Sequence, residues 1–297
     1  MILSNQNLES AFKGFKVKFQ GAFDATESFA DKVAMTVSSD TAEEEYAWLG
    51  QFPALREWIG ERQLQQLRAH GFRIRNRDFE STVTVARNDM QDDKFGLYGP
   101  MFSEMGRVTK LHPDTLVFSL LKEGITALGY DGVPFFGYHA SFGPGDEPLA
   151  VSNKRTVAGE APYWYLLDLS RAVKPIIFQK RKDYTFESMD QPGQENVFMR
   201  KEFIYGVDAR VNVGFGLWQL AYASNAPLLF DEFDLARQAM TGLRGDKNHL
   251  LGVKPTHILV PPSLEMDARN LLKNTLAGGE ANVLAGLVDI IVSPYLA

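Results

Sequence analysis

The chain has 297 residues, 45% of them hydrophobic and 23% charged, with no cysteine and a formal net charge of −6. That length allows one large domain or two smaller ones around a substantial core, and the missing thiols exclude disulfides, thiolate metal sites and cysteine nucleophiles. The acid excess argues against a dedicated nucleic-acid binder, no run of about 18 apolar residues is present to span a membrane, and MILSNQNLES lacks the basic-then-apolar layout of a secretory signal.

In SNQNLESAFKGFKVKFQGAFD (4–24), Leu8, Phe12, Phe15, Phe19 and Phe23 recur at spacings of four, three, four and four. That is one face of a helix. So lopsided a helix needs a surface to lie on, either its own domain's core or a neighbouring subunit. TVSSDTAEEE (36–45) is polar and acidic and reads as a linker. The run AWLGQFPALREWIGERQLQQLRAHGF (47–72) then concentrates Trp48, Phe52, Trp58 and Phe72. Pro53 suits a first helical turn, Leu55, Trp58, Ile59 and Leu67 mark an apolar stripe, and Gly71 is a stop signal. From residue 72 the period becomes two. Phe79, Val83 and Val85 share one strand face, while Glu80, Thr82 and Thr84 share the other, behind a comb of Arg73, Arg75 and Arg77. A short hairpin here is marginal alone in water and needs something to lie against.

Residues 91–124 read as a long helix. Met101, Phe102, Met105, Val108 and Leu111 give one stripe, and Leu116, Val117, Leu120 and Leu121 a second. Pro113 stands between them and is expected to kink or split the helix. YDGVPFF (130–136) reads as a turn entering a strand, and the Gly- and Pro-rich stretch 141–162 as a loop. The runs 163–170, 174–188 and 197–224 are rich in aromatic and branched residues and read as strands. DEFDLARQAMTGL (231–243) is an amphipathic helix with Asp231 as its cap. HILVPP, SLEMDARNLLKN and GLVDIIVSPYLA follow as strand, helix and strand, which suggests a small α/β unit at the end of the chain.

Signatures of chemistry are missing. There is no phosphate loop, no dinucleotide fingerprint, no nucleophile elbow and no HExxH. Gly214 and Gly216 in VGFGLW lack the third glycine and fit close packing or a bulge. The histidines His70, His112, His139, His249 and His257 are scattered outside metal-motif spacing. Asp131 and His139 flank the YDGVPFF turn, but Asp-Gly is first a turn signal. Asp92 and Asp93 read as solvated acids at a helix start. Lys180, Arg181 and Lys182 read as a solvated strand end or as partners of nearby acids. No catalytic, cofactor-binding or metal residue is assigned, and no cofactor is implied.

Several long strings are distinctive. EYAWLGQFPALREWIGER, RNRDFESTVTVARNDMQDD, HPDTLVFSLLKEG, YDGVPFF, WYLLDLSRAVKPIIFQKRK, VFMRKEFIYGVDARVNVGFGLWQLAY and ILVPPSLE together resemble the major head (capsid) subunit of Mu-like bacteriophages, the gpT family. The resemblance runs in one order from about residue 1 to the C-terminus. It implies an α+β capsid fold of the Hong Kong 97 type. Its parts would be an N-terminal arm (1–45), an E-loop region with an extended hairpin (46–92), a P-domain (93–225) and an α/β A-domain (226–297). The P-domain would hold a spine helix at about 95–124, the loop at 141–162 and a sheet at about 163–224. One departure is the placing of strands like WYLLDLS and FIYGVDAR before the helices of the last third, which leaves a permuted topology open.

The function implied is that of a structural protein, not an enzyme, assembled in the bacterial host cytoplasm into hexamers and pentamers of an icosahedral virion head. The head would enclose double-stranded DNA without sequence-specific binding. Further partners implied are a scaffold or protease, a portal and a decoration protein; no membrane is involved. On this reading the arm and hairpin are left uncovered by their own chain and are covered by the next copy, since aromatic anchors are enriched in interface cores. The expected inter-subunit contacts are Phe12, Phe15, Phe19, Trp48, Phe52, Trp58, Arg73, Arg75, Arg77 and Phe79. Two other readings are an encapsulin-like nanocompartment shell, distinguished by cargo, and a soluble α+β enzyme with a carboxylate site.

Overall fold

The computed structural model describes residues 5–49, 71–92, 95–142, 148–159, 161–191, 193–245, 249–274, 276–277 and 280–297. Phe52, Trp58 and the helix expected from Pro53 lie outside the described residues. Helix α1 (Asn5–Ala25) and the short α2 (Ala30–Val33) lead into β1 (Ala34–Ser38) and β2 (Glu43–Glu45). Next come β3 (Arg73–Arg75), β4 (Arg77–Ala86), α3 (Arg87–Gln91) and α4 (Phe95–Glu123). The middle of the chain is β5 (Tyr138–Phe142), β6 (Pro148–Ser152), β7 (Lys154–Arg155), β8 (Trp164–Leu167), β9 (Ile176–Met189), a π-helical turn (Asn196–Arg200), β10 (Glu202–Phe215) and β11 (Ala221–Ser224). The last third is α5 (Phe230–Thr241), β12 (His257–Val260), α6 (Glu265–Leu272), β13 (Leu276–Ala277), β14 (Glu280–Ala281) and β15 (Asp289–Val292).

Two sheets organise these elements. The first runs β1-β9-β10-β4, with β9 and β10 a long antiparallel hairpin, β4 antiparallel to β10 and β1 parallel to β9. The second runs β15-β12-β8-β11-β7. In it β12 and β15 are parallel with α6 between them, the small α/β unit read from the sequence. The pairing crosses the boundary expected at 225/226, because β8 and β11 belong to the same sheet as β12. Alternation in β4 is as read: Phe79, Val83 and Val85 turn inward, and Glu80, Thr82 and Thr84 are exposed.

The core has two clusters, and α4 joins them. Its first half gives Phe102 and Met105 to one, and its second half gives Val117, Phe118 and Leu121 to the other. This explains why Pro113 does not split the helix, one of the two outcomes expected of it: α4 is one element of 29 residues with Pro100 and Pro113 inside it. A proline deletes one ladder hydrogen bond, but packing on both sides of it keeps the two halves in one helix. The turn at Pro113 also has a second use. The buried Asp114 carboxylate accepts from the Ser28 hydroxyl at 2.6 Å, the Ala30 amide at 2.7 Å and the Phe29 amide at 3.2 Å, tying the start of α2 to α4.

Other expectations change for reasons of pairing. TVSSDTAEEE is not a linker: its ends are strands β1 and β2. Ser39 Oγ, the amides of Asp40 and Thr41, and Thr41 Oγ1 all donate to the Glu44 carboxylate and close the turn between them. Those bonds hold the Glu44 pKa down, to about 2. Part of the expected 141–162 loop is strand, since β6 pairs with β5 and β7 with β11. The strand after residue 72, expected to need a surface to lie against, finds it in β10: β4 is an edge strand of the first sheet over its whole length. Asp231 does not cap α5. Leu229 occupies that position without a side-chain bond, and Asp231 lies in the first turn, where its charge complements the helix dipole. The last strand, β15, is only partly buried.

Helix α1 lies along α4 on one side of the first sheet. Leu8, Phe15 and Phe19 are buried in the cluster that contains Phe102, Phe186, Phe203 and Tyr205. Each such side chain stabilises by about 1.5–3 kcal/mol on burial. The close approach needs Gly106, where an added Cβ would sit 2.2 Å from the Phe19 carbonyl oxygen. Around Gly14, where α1 borders an open groove beside the start of α4, a Cβ would meet nothing within 4 Å. Gly106→Val is therefore expected to lower unfolding stability by more than about 2 kcal/mol through overpacking. Gly14→Ala should hold or raise it by about 0.5–1 kcal/mol. Urea unfolding of the two variants checks the pair.

Candidate functional site

The residues singled out by sequence fall into three groups. The first is the α1 stripe. Phe12 is half-buried and stacks on Phe186 at 5.6 Å. Phe15 stacks on Phe102 at 4.3 Å and meets Tyr205 edge-on at 5.3 Å, and Phe19 stacks on Phe186 at 5.0 Å. These rings are covered by their own chain, the plainer of the two alternatives the stripe allowed. The exposed side chains of α1 include Lys13, Lys16, Val17 and Lys18, with Glu9 and Asp24 nearer its ends.

The second group stands where the chain leaves for, and returns from, residues 50–70. The Tyr46 amide donates to the Phe72 carbonyl at 2.9 Å, so the two ends lie side by side. A buried polar chain holds them. The Tyr46 hydroxyl donates to Gln179 at 2.8 Å, Gln179 donates to Asn76 at 2.8 Å and to the Ile74 carbonyl at 3.0 Å, and Asn76 donates to Ser39 Oγ at 2.8 Å. Burial, and then Glu44, pushes the Tyr46 pKa up to about 12, so it stays a donor. Trp48 packs against the core and meets Tyr46 edge-on at 6.1 Å. Arg73 pairs with Glu43 at 3.2 Å and Glu45 at 3.4 Å, both exposed contacts across β2 and β3. Arg75 is exposed, and its carbonyl accepts from Asn212.

The third group is Arg77, Phe79 and His112. The Arg77 guanidinium lies 5.5 Å over the Phe79 ring, and Phe79 meets His112 edge-on at 4.3 Å. His112 Nδ1 and the Tyr184 hydroxyl share a 2.7 Å hydrogen bond.

The remaining sequence candidates resolve as structure. Asp131 and His139 do meet, at 2.6 Å, but His139 is buried flat against Trp218 at 4.0 Å, with Nε2 at 3.1 Å from the Phe135 carbonyl. Lys180, Arg181 and Lys182 pair with Asp183, Asp40, and Asp208 with Glu187. Gly214 and Gly216 serve close packing, since a Cβ would fall 2.2 Å from Ile74 and 2.3 Å from the Lys174 carbonyl oxygen. Sequence reasoning missed the far end of the β9–β10 hairpin. There Phe198 and Met199 stand 78% and 70% exposed on the π-helical turn, beside half-exposed Met189. Two bulky apolar residues followed by Arg200 and Lys201, outside any alternation, are the signal that marks them. A groove of about 650 Å³ also opens between α1 and the start of α4, floored by Ala11, Gly14, Gly96 and Gly99.

Among the described residues, no group of three or more His, Asp or Glu side chains is placed to hold a metal ion. The open features of this geometry are surfaces, and the comparisons with known proteins agree. A family model described as Mu-like prophage major head subunit gpT matches residues 8–296. The chain belongs to the Mu-like prophage major head subunit gpT family. It is 39% identical over 305 residues to the major capsid protein of Escherichia phage Mu, covering 100% of both chains. It superposes on the subunit of the bacteriophage JBD30 procapsid with a TM-score of 0.88 and 39% identity, over 99% of this chain and 100% of that one. The JBD30 capsid decorated with minor capsid protein trimers gives a TM-score of 0.73 at 29% identity, over 90% of each chain.

As a gpT-family head subunit the chain is a structural protein and not an enzyme, so its titratable groups matter to stability. Burial first, and Arg77 second, hold the His112 pKa below its ordinary 6.5. The unfolded chain therefore binds the proton first. The His112 contribution is complete above about pH 6.5 and is lost as pH falls from there through the lower folded value. Unfolding stability should decline on acidification from pH 7 to 5.5, and His112→Gln should flatten that slope. Denaturant titrations at both pH values measure it; an unchanged slope would mean His112 titrates alike in both states.

Proposed function

We propose that many copies of this chain close, as hexamers and pentamers, into the icosahedral head of a tailed phage around double-stranded DNA. The observation that carries the reading is the family match over nearly the whole chain, joined to a relative whose subunits build a procapsid. The same match weighs against an encapsulin-like compartment and against a carboxylate enzyme. A scaffold or protease and a portal are the expected assembly partners. A decoration protein is a third, since the JBD30 capsid carries minor capsid protein trimers.

On this reading the parts named by the resemblance are assigned to the elements of the fold with one adjustment. α1 is the arm, and the two-stranded base at Glu43–Glu45 and Arg73–Arg75 carries the E-loop. α4 is the spine helix, which with the sheet β1-β9-β10-β4 makes the P-domain. β8 and β11 go with β12 and β15 to the A-domain, because they share its sheet. Contact between copies then runs through residues 46–79, with Trp48, Arg73, Arg75, Arg77 and Phe79 at the base and Phe52 and Trp58 further out. Phe12 is the member of the arm stripe that keeps surface for a neighbour, while Phe15 and Phe19 support it from below. Exposed ion pairs such as Arg73 with Glu43 are worth about 0–1 kcal/mol each, so they orient the loop, and apolar burial supplies the cohesion.

The hydrogen bond between Tyr46 and Phe72 makes the test clean. Replacing residues 50–70 by a short glycine linker joins two ends already side by side. The variant should fold as the parent does by circular dichroism and yet form no shells by sedimentation or negative-stain microscopy. Normal particles from a folded variant would contradict the proposed role of this segment.

A further inference from the structure

The two sides of the first sheet carry opposite charge. On the helix side, α1 carries Lys13, Lys16 and Lys18 against Glu9 near its start and Asp24 near its end, and all three lysines are exposed. Among the described residues, Lys13 pairs with Glu9, one turn before it, and Lys16 and Lys18 have no carboxylate within ion-pair distance. The other side of the sheet is covered by Tyr46, Ile74 and Asn76 where they pack on Gln179, and is open along β4 and the β9–β10 hairpin beyond it. Strand register brings Asp78, Glu80, Glu187, Glu202 and Asp208 onto that one face. Lys182 and Arg210 are its bases, so five acids against two bases leave −3 among the described residues there. Lys182 pairs with Asp208 at 2.5 Å, and Arg210 with Asp78 at 3.5 Å. Glu80 nevertheless stands directly opposite Asp208 in the β4–β10 register. Like charges so placed cost stability, and nothing in the fold requires them.

A closed shell has an inside and an outside, and each copy turns the same side inward. A subunit with one basic and one acidic side is thereby oriented by whichever polyelectrolyte it encloses. We propose that the exposed side of α1, from Lys13 and Lys16 round to Lys18 at the rim of the groove with α4, is turned to the lumen and touches the phosphate backbone of the packaged DNA. The acidic sheet face is turned away. The proposal rests on the head-subunit reading for the identity of the polyanion. An acidic sheet face of a second copy is also complementary to these lysines. Joining opposite sides of one layer, however, stacks copies across the shell thickness and makes an open-ended contact that does not close. DNA satisfies the lysines without that consequence. With the whole chain at −6, each copy holds DNA weakly, and the contact acts through the number of copies.

The test uses the full chain, dispersed as unassembled subunits, with a short double-stranded DNA duplex followed by fluorescence anisotropy over a range of salt. The variant Lys13→Gln, Lys16→Gln, Lys18→Gln is compared with Glu80→Gln, Glu187→Gln, Glu202→Gln, which changes net charge equally in the opposite sense on the opposite side. Each lost phosphate contact lowers the slope of log affinity against log salt by about 0.9, so the lysine variant should lose about 3 in slope. It should also bind the duplex at least tenfold more weakly at low salt. The carboxylate variant should keep the parent slope. Equal and opposite shifts in the two variants would mean that only net charge matters and would overturn the proposal. So would a lysine variant that binds the duplex as the parent does. Electron microscopy of assembled material reads particle formation separately. Loss of particles with duplex binding intact would assign the lysines to a second copy and overturn the inference, leaving the head-subunit reading in place.

Discussion

The seating of the α1 phenylalanine stripe against α4 and the first sheet governs the rest of this subunit. Phe15 against Phe102 and Phe19 against Phe186 close the second core cluster, and Gly106 lets the two helices approach closely enough to do it. Without α1, one side of a four-stranded sheet and the first half of α4 would face water. With α1 in place, that side is covered, and the opposite one stays open along β4 and the β9–β10 hairpin beyond the Tyr46–Gln179–Asn76 chain. The open features follow from that choice: a lysine-bearing helix face, an acidic sheet face, the apolar end of the β9–β10 hairpin, and the paired strands that lead to residues 50–70.

This seating also revises how the chain prepares for assembly. An uncovered arm is the natural inference from a stripe of four phenylalanines and one leucine on a single helix face. The structure covers most of it within one copy. The physics favours that outcome, because a head subunit exists as a free chain before it joins a shell, and a bare aromatic stripe would aggregate. Self-coverage of the arm is compatible with shell building once the contacts are carried by other surfaces. Phe198 and Met199 keep such surface in the single chain.

The sequence was legible where its information is local. Spacings of three and four placed α1 and α4 within a few residues of their observed ends, alternation placed β4, and strand-helix-strand order in the last third gave a parallel pair. It was illegible where the deciding contact is distant. TVSSDTAEEE is a strand pair because its partners are Ile176–Lys180 and Arg73–Arg75. β8 and β11 join β12 because a sheet edge far along the chain accepts them. Pro113 failed to divide α4 because two core clusters grip the helix on either side. In the candidate site, the arginines and aromatics at 73–79 were found by composition. The Tyr46–Gln179–Asn76 chain that fixes them was not, since its members lie over a hundred residues apart.

The central claim is that α1 belongs to the body of the free subunit. Hydrogen exchange measured on dispersed subunits, before any particle forms, tests it most directly. The account predicts amides of α1 protected to the same degree as those facing them in the first half of α4. Free exchange along α1 in dispersed subunits, with protection gained only in assembled particles, would contradict it.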